Sequence, residues 1–169
     1  MEDARDTFYI TLRTRLAAIN PARTIVVRGI TRPGVLVEEN ELASAFQQPD
    51  AFSLRWTSLS VDAAGPLPLV AMECEVRYAT DGTAANGGMD RGRLLSGMDA
   101  ELASAVNAEP RSALKQSYSG VAGTGAAAVP MATNIFWSEP VFHPASATGE
   151  RIQRVATVQV FSYQEAGEL

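Results

Sequence analysis

The stretch from Leu67 to Tyr78 constrains this chain more than any other. Met72, Cys74, Val76 and Tyr78 alternate with Glu73, Glu75 and Arg77. That period of two belongs to a β-strand with one covered and one polar face. Such a strand cannot stand alone, because its apolar side has to be buried against other elements. Pro68 near its start marks a strand entrance or an edge. Cys74, the only cysteine in the chain, falls on the inward side, where it behaves as a small hydrophobe. A single cysteine permits no internal disulfide, in keeping with a reducing compartment.

Two segments can supply the cover. Over Asp3–Ile19, Phe8, Leu12 and Leu16 recur every fourth residue with Ile19 beyond them, one apolar stripe of a helix. Asp3 and Asp6 suit the positive end of its dipole, and Asn20-Pro21 ends it. Over Met89–Asn107, Leu95, Met98, Leu102 and Val106 form a second stripe. Gly92 and Gly97 weaken that helix by about 1 kcal/mol each relative to Ala.

The remaining elements are read by the same logic. Thr24–Ile30 is a β-branched strand, Thr31-Arg32-Pro33-Gly34 a turn, and Val35–Glu38 a short strand. Glu39–Phe46 is compatible with a helical turn. Phe52–Val61 is a strand whose alternation slips near Thr57-Ser58, as a β-bulge would make it. Asn134–Phe142 and Ile152–Tyr163 form a closing hairpin with a broad loop. The polar tail Gln164–Leu169 is expected to fray. The expectation is an α+β fold in a single domain, residues 1–169: a largely antiparallel sheet covered on one face by two amphipathic helices.

Residues 108–133 fit none of these patterns. Rich in Ala, Gly and Ser, they lie between the second helix and the last strands. Loops longer than about 12–15 residues are uncommon in compact domains and are usually functional or disordered. This segment is expected to be a long arm. Its Gly120–Gly125 run lacks the strand before and helix after that a dinucleotide loop needs, and its glycine spacing is reversed.

Little else points to chemistry. With one histidine, His143, and one cysteine, a Cys/His zinc centre cannot be assembled within one chain. His143 in Phe-His-Pro is read as a loop residue, and Glu73 and Glu75 as a solvated strand face with Arg77. No catalytic, cofactor-binding or metal residue is assigned, and no cofactor is expected. The formal net charge of −5 argues against a nucleic-acid-wrapping surface, which needs clustered Lys and Arg. The charged N-terminal segment has no apolar core of a secretory signal, and no run of about 18 apolar residues is present to span a membrane. A cytoplasmic protein is expected. Arg91 and Arg93 open the second helix against its dipole; either Asp90 and Asp99 satisfy them or an acidic neighbour does. Trp137, if exposed on its strand, is an interface anchor.

The opening FYITLRTRLAAI helix, the RTIVVRGITRPGVLVEE strand-turn-strand, PLVAMECEVRY leading into MDRGRLLSGMDAELASAV, and the closing RIQRVATVQVFSY strand together resemble the phage tail-terminator (tail completion, head-tail joining) proteins, including those of prophages. The resemblance implies a non-enzymatic structural protein of virion assembly, a homo-oligomeric ring of the hexameric kind that caps the tail tube and docks to tail or neck proteins. Residence in the cytoplasm or the virion follows, without sequence-specific nucleic-acid contact and without a membrane. An acidic chain suits a channel through which DNA slides, because like charge disfavours phosphate contact. The candidate assembly surface is Arg91, Arg93, Lys115, Tyr118 and Trp137. A small-ligand-binding or enzymatic α+β domain, with the arm as a lid, is the alternative.

Overall fold

The computed structural model describes residues 1–38, 48–118, 127–166 and 168. Helix α1 (Glu2–Ile19) is followed by strands β1 (Thr24–Val27), β2 (Ile30–Pro33), β3 (Val35–Val37), β4 (Phe52–Asp62) and β5 (Leu69–Thr80). A 3₁₀ turn (Ala84–Asn86) leads into helix α2 (Arg91–Asn107). Strands β6 (Ser112–Ser117), β7 (Val129–Trp137), β8 (Val141–Phe142), β9 (Ser146–Thr148) and β10 (Arg151–Tyr163) complete the order. The protein is a mixed α+β fold with a largely antiparallel sheet.

In α1, Ala4, Phe8, Leu12 and Leu16 are all buried. The hydroxyls of Thr7, Thr11 and Thr14 donate to carbonyls four residues back, at 2.6, 2.7 and 2.8 Å, so these helix-indifferent residues satisfy themselves locally. Asn20 still donates its amide to Leu16 O at 2.9 Å, and Pro21 cannot extend the helix. In α2, Leu95, Met98, Leu102, Ala105 and Val106 are buried. Glu101 of α2 ties the helices together, accepting from Asn20 Nδ2 at 2.8 Å and from Arg23 at 2.8 and 2.9 Å. Burial pushes its carboxyl up, but the Arg23 and Asn20 donors outweigh burial and hold it below the ordinary value.

The main sheet runs β3-β4-β5-β10-β7-β6, with β8 and β9 also pairing β10. Among the described residues only β3 and β4 pair in parallel. Strand β10 is the axis of the sheet. It pairs β5 from Ile152↔Thr80 to Tyr163↔Leu69 on one side, and β9, β8 and β7 in turn on the other. The core cluster takes Phe8 and Leu12 from α1, Met98 and Leu102 from α2, Met72, Cys74, Val76 and Tyr78 from β5, and Ala156, Val158 and Val160 from β10. Phe8 is its hinge pin, edge-on to Trp56 and Trp137 with centroids at 6.0 and 5.6 Å.

The register of β4 shifts between Trp56 and Ser58, where the alternation predicted a bulge. Other expectations need correction. Thr24–Ile30 is not one strand, because the chain turns at Arg28-Gly29, both at positive φ (51° and 80°). A type I′ two-residue hairpin loop needs that geometry at both positions. Thr31, Arg32 and Pro33 therefore belong to β2, and Pro33 is tolerated at the strand end. Residues 108–133 are not all arm, since Ser112–Ser117 belong to β6 and Val129–Thr133 to β7, and residues 119–126 lie outside the described residues. SALKQS has little β propensity of its own. The β7 ladder holds it, together with α1: Gln116 N–H donates to Thr7 Oγ1 at 3.0 Å and Tyr118 N–H to Asp3 Oδ1 at 3.1 Å. The loop expected between Phe142 and Ile152 contributes β9 to the sheet. The tail does not fray through Glu165: Glu165 accepts from the amides of Ala132 and Thr133. The helical turn at Glu39–Phe46 and the Gly120–Gly125 run fall mostly or wholly outside the described residues.

Candidate assembly surface

Strand β4 begins as a core strand and ends as a surface one. Phe52, Ser53 and Leu54 are buried where β3 lies alongside, in the pairs Val35↔Phe52, Leu36↔Ser53 and Val37↔Leu54. Beyond Leu54, among the described residues, β4 keeps β5 on one side and has no strand on the other. The bulge then resets its phase. Leu59 comes opposite Met72 and Val61 opposite Val70, the core-facing residues of β5. Met72 and Val70 are buried, whereas Leu59 and Val61 remain 40% and 48% exposed. Two branched apolar side chains thus sit on the core side of the sheet and remain exposed.

The hairpin closes through Asp62 Oδ1, which accepts the Ala64 amide at 2.9 Å, and returns at Leu67, also exposed. Asp62, Gly65, Pro66, Leu67, Leu69 and Tyr163 line a groove of about 440 Å³ at this end of the sheet. On the face away from the core, the register places Ser60, Ala71, Phe161 and Phe136 in one row; Phe136 is exposed. This end of the molecule is an apolar projection with a strand edge along its flank.

The residues singled out from sequence are placed differently. Trp137 is 6% exposed, under α1 and α2; its indole N–H donates to Val106 O at 2.9 Å and Arg15 lies over its ring at 5.0 Å. Lys115 is 0% exposed, with its ammonium on Tyr163 O at 2.6 Å and Glu168 Oε2 at 2.7 Å. Neither offers a surface. Trp137 lies on the inward phase of β7, with Ile135, and Lys115 is drawn inside by two carboxylates of the tail. Tyr118 is half-buried beside the start of α1, and burial, then the neighbouring Asp6, pushes its phenol up. Arg93 is exposed on α2. Arg91 donates to Asp81 O at 3.2 Å and lies 3.7 Å from Glu150. The expected local partners are otherwise engaged. Asp90 accepts from Thr83 N, Thr83 Oγ1 and Asn86 Nδ2, which depress its carboxyl to about 2. Asp99 takes Tyr78 Oη and Arg154, and burial together with Asp99 pushes the Tyr78 phenol up.

The carboxylates of the polar strand face are held by neighbouring side chains. Glu73 accepts from Thr57 Oγ1 at 2.9 Å and Gln159 Nε2 at 2.8 Å, while Glu75 accepts from Arg77 at 2.6 Å. His143 is exposed, with Nε2 2.8 Å from Thr157 Oγ1. Among the described residues, no cluster of three His, Cys, Asp or Glu side chains could hold a metal ion, and no helix is long and apolar enough to cross a membrane. The projecting hairpin is the feature that sequence reasoning missed. Its signal was available: the phase slip at Thr57-Ser58 put Leu59 and Val61 on a new face, without showing that the helices stop short of it.

No protein-family model and no curated protein sequence matches this chain.

Proposed function

We propose that this protein is a structural assembly subunit, of the kind that tail-terminator and head-tail joining rings are built from, and that it works by self-association and by docking to tail or neck proteins. The observation that carries the reading is the β4–β5 hairpin. Its end exposes Leu59, Val61 and Leu67 beside a strand edge that, among the described residues, pairs with no further strand, and beside a groove lined by Leu67, Leu69 and Tyr163. Contiguous exposed apolar surface on a folded chain marks an interaction site, and an unpaired strand edge is a template for another chain. The two helices and the dry side of the sheet then serve as the rigid body that carries this end. Arg93, exposed on α2, is left for electrostatic contact with an acidic neighbour, whereas Arg91 is held by Asp81 and Glu150; the net charge of −5 suits a pore that DNA traverses without adhering.

The test is the mass of the purified full chain by light scattering over a wide concentration range, with electron microscopy of any large species. The expected result is an assembly of several copies, seen as closed particles. A single-copy mass at every concentration, with no change on adding purified tail-tube or neck protein, would overturn the reading.

A further inference from the structure

We propose that copies of this chain join head to tail, with the β1–β2 hairpin of one copy seated in the groove at the Asp62 end of the next, Arg28 against Asp62 and Tyr163. The proposal deepens the assembly reading and rests on its self-association.

The hairpin has the form of a knob. Its two-residue loop is Arg28-Gly29, at φ 51° and 80°. Loops of that type favour Asn, Asp or Gly, so Arg28 holds a backbone cost of the kind that structures keep at binding sites. Its side chain is exposed at the tip. The register Val26↔Thr31 and Val27↔Ile30 sets Val26 on one face of the hairpin and Ile30 on the other, each 67% exposed. The groove is the complement. Pro66, Leu67, Leu69 and Tyr163 supply apolar walls, and Asp62 is the one charged residue among the described lining. The volume of about 440 Å³ is that of a ligand pocket, about 300–1,000 Å³. Asp62 gives one oxygen to the Ala64 amide and has a second to offer. Among the described residues, neither Arg28 nor Asp62 has an ion-pair partner. Arginine lays its aliphatic stem on apolar surface and its planar head on a carboxylate, and the ring of Tyr163 adds a cation–π face.

A copy cannot fill its own groove. Phe52 N–H donates to Gly34 O at 2.8 Å and Gly34 N–H to Arg23 O at 2.9 Å, which fixes the base of the hairpin at the Phe52 end of β4. Asp62 closes the other end of that strand, about 33 Å away at strand rise, whereas strands as short as β1 and β2 carry the tip only about 13 Å from its base. The matching element therefore comes from a second copy, whose knob is identical, cationic and free. The contact joins two different surfaces. Each pair keeps an empty groove at one end and a free knob at the other, and repetition by a closing rotation makes a ring.

The experiment reads light-scattering mass, melting temperature and cross-linking of the full-length chain. Arg28→Asn relieves the loop and removes the cation. It is expected to keep or raise the melting temperature, while the mass falls to that of single copies at concentrations where the unmodified chain assembles. Asp62→Asn keeps an acceptor for the Ala64 amide and loses the charge, and is expected to lower the mass likewise. Ile30→Cys and Leu67→Cys chains, mixed and mildly oxidised, are expected to give a disulfide-linked pair. Leu114→Cys in place of Leu67→Cys is expected to give none, and Cys74, fully buried, does not compete. A mass unchanged by Arg28→Asn or by Asp62→Asn, or cross-linking to Leu67→Cys no better than to Leu114→Cys, overturns the knob-and-groove joint and leaves the assembly reading intact. A single-copy mass for the unmodified chain at every concentration overturns both.

Discussion

Lys115 and Glu168, 53 positions apart in the chain, meet at 2.7 Å in the interior. The lysine is wholly enclosed, and the carboxylate side chain is 4% exposed. Three acceptors match the three ammonium protons: Tyr163 O, Glu168 Oε2 and Ser162 Oγ. Glu165 adds charge at 3.7 Å and the N-terminal amine reaches Glu168 at 3.5 Å. The start of α1, the β6 edge and the tail are pinned by one cation.

Lys115→Met therefore leaves a carboxylate stranded in the interior. Breaking a buried pair by removing one partner costs about 3–5 kcal/mol, and urea denaturation is expected to show a loss in that range. The double variant Lys115→Met with Glu168→Gln is expected to recover part of it. Two losses that simply add would show that the pair is not coupled.

The same pair sets a pH dependence. Burial pushes Glu168 up, but Lys115 and the Glu165 amide outweigh burial, and its carboxyl lies below the ordinary value of 4.5. A carboxylate depressed by folding adds stability above its unfolded value and loses it as pH falls through the folded one. The stability gap between the wild type and Glu168→Gln is thus expected to be full above pH 4.5 and to shrink below it. Denaturation curves of both proteins at a series of pH values measure this.

Asp90 gives a second, independent titration. Its three hydrogen bonds within the Thr83–Asp90 turn, the Thr83 amide foremost, hold the carboxyl at about 2 against an ordinary 3.8. Carboxyl-carbon NMR is expected to place its midpoint there, and Thr83→Ala, which removes the hydroxyl donor, is expected to raise it. A midpoint at the ordinary value would refute the turn geometry.

Glycines separate turn from helix. Gly82 has φ +79°, and a Cβ there would lie 2.6 Å from Gly88 Cα. Gly82→Ala is expected to cost more than about 1 kcal/mol. Gly97, helical with nothing within 4 Å of a Cβ, is expected to gain up to about 1 kcal/mol as Ala. Opposite shifts of the melting temperature are the readout.

Trp137→Ala is expected to cost about 3–5 kcal/mol by opening a cavity under α1 and orphaning the Val106 carbonyl. Its effect should appear in thermal unfolding and not in the light-scattering mass below that transition.

The parts legible in the sequence were those governed by local periodicity. The alternation of Met72 to Tyr78, the stripes of α1 and α2, and the slip at Thr57-Ser58 each report a face, and a face is a local property. The Arg28-Gly29 turn was overlooked because Pro33-Gly34 carries the louder turn signal, while Arg28 pays a backbone strain that no residue type announces. Strand β6 was hidden in an Ala/Gly/Ser-rich stretch because its pairing comes from β7 and its edge from α1, neither of which SALKQS encodes. Lys115 reads as a surface residue until the tail carboxylates are placed beside it. The projecting hairpin escaped notice for the converse reason: exposure of Leu59 and Val61 depends on where α1 and β3 end in space.

The central place of β10 gives the molecule an order of completion. Among the described residues before Arg151, the main sheet exists as two parts, β3-β4-β5 and β6-β7, with no ladder between them. A chain in synthesis lacks the strand that joins these parts until β10 has left the ribosome, and only then can β5 and β7 belong to one sheet. A product cut short before β10 would leave Met72, Cys74 and Val76 without the cross-strand neighbours Val160, Val158 and Ala156, an apolar flank of the kind that makes incomplete chains aggregate.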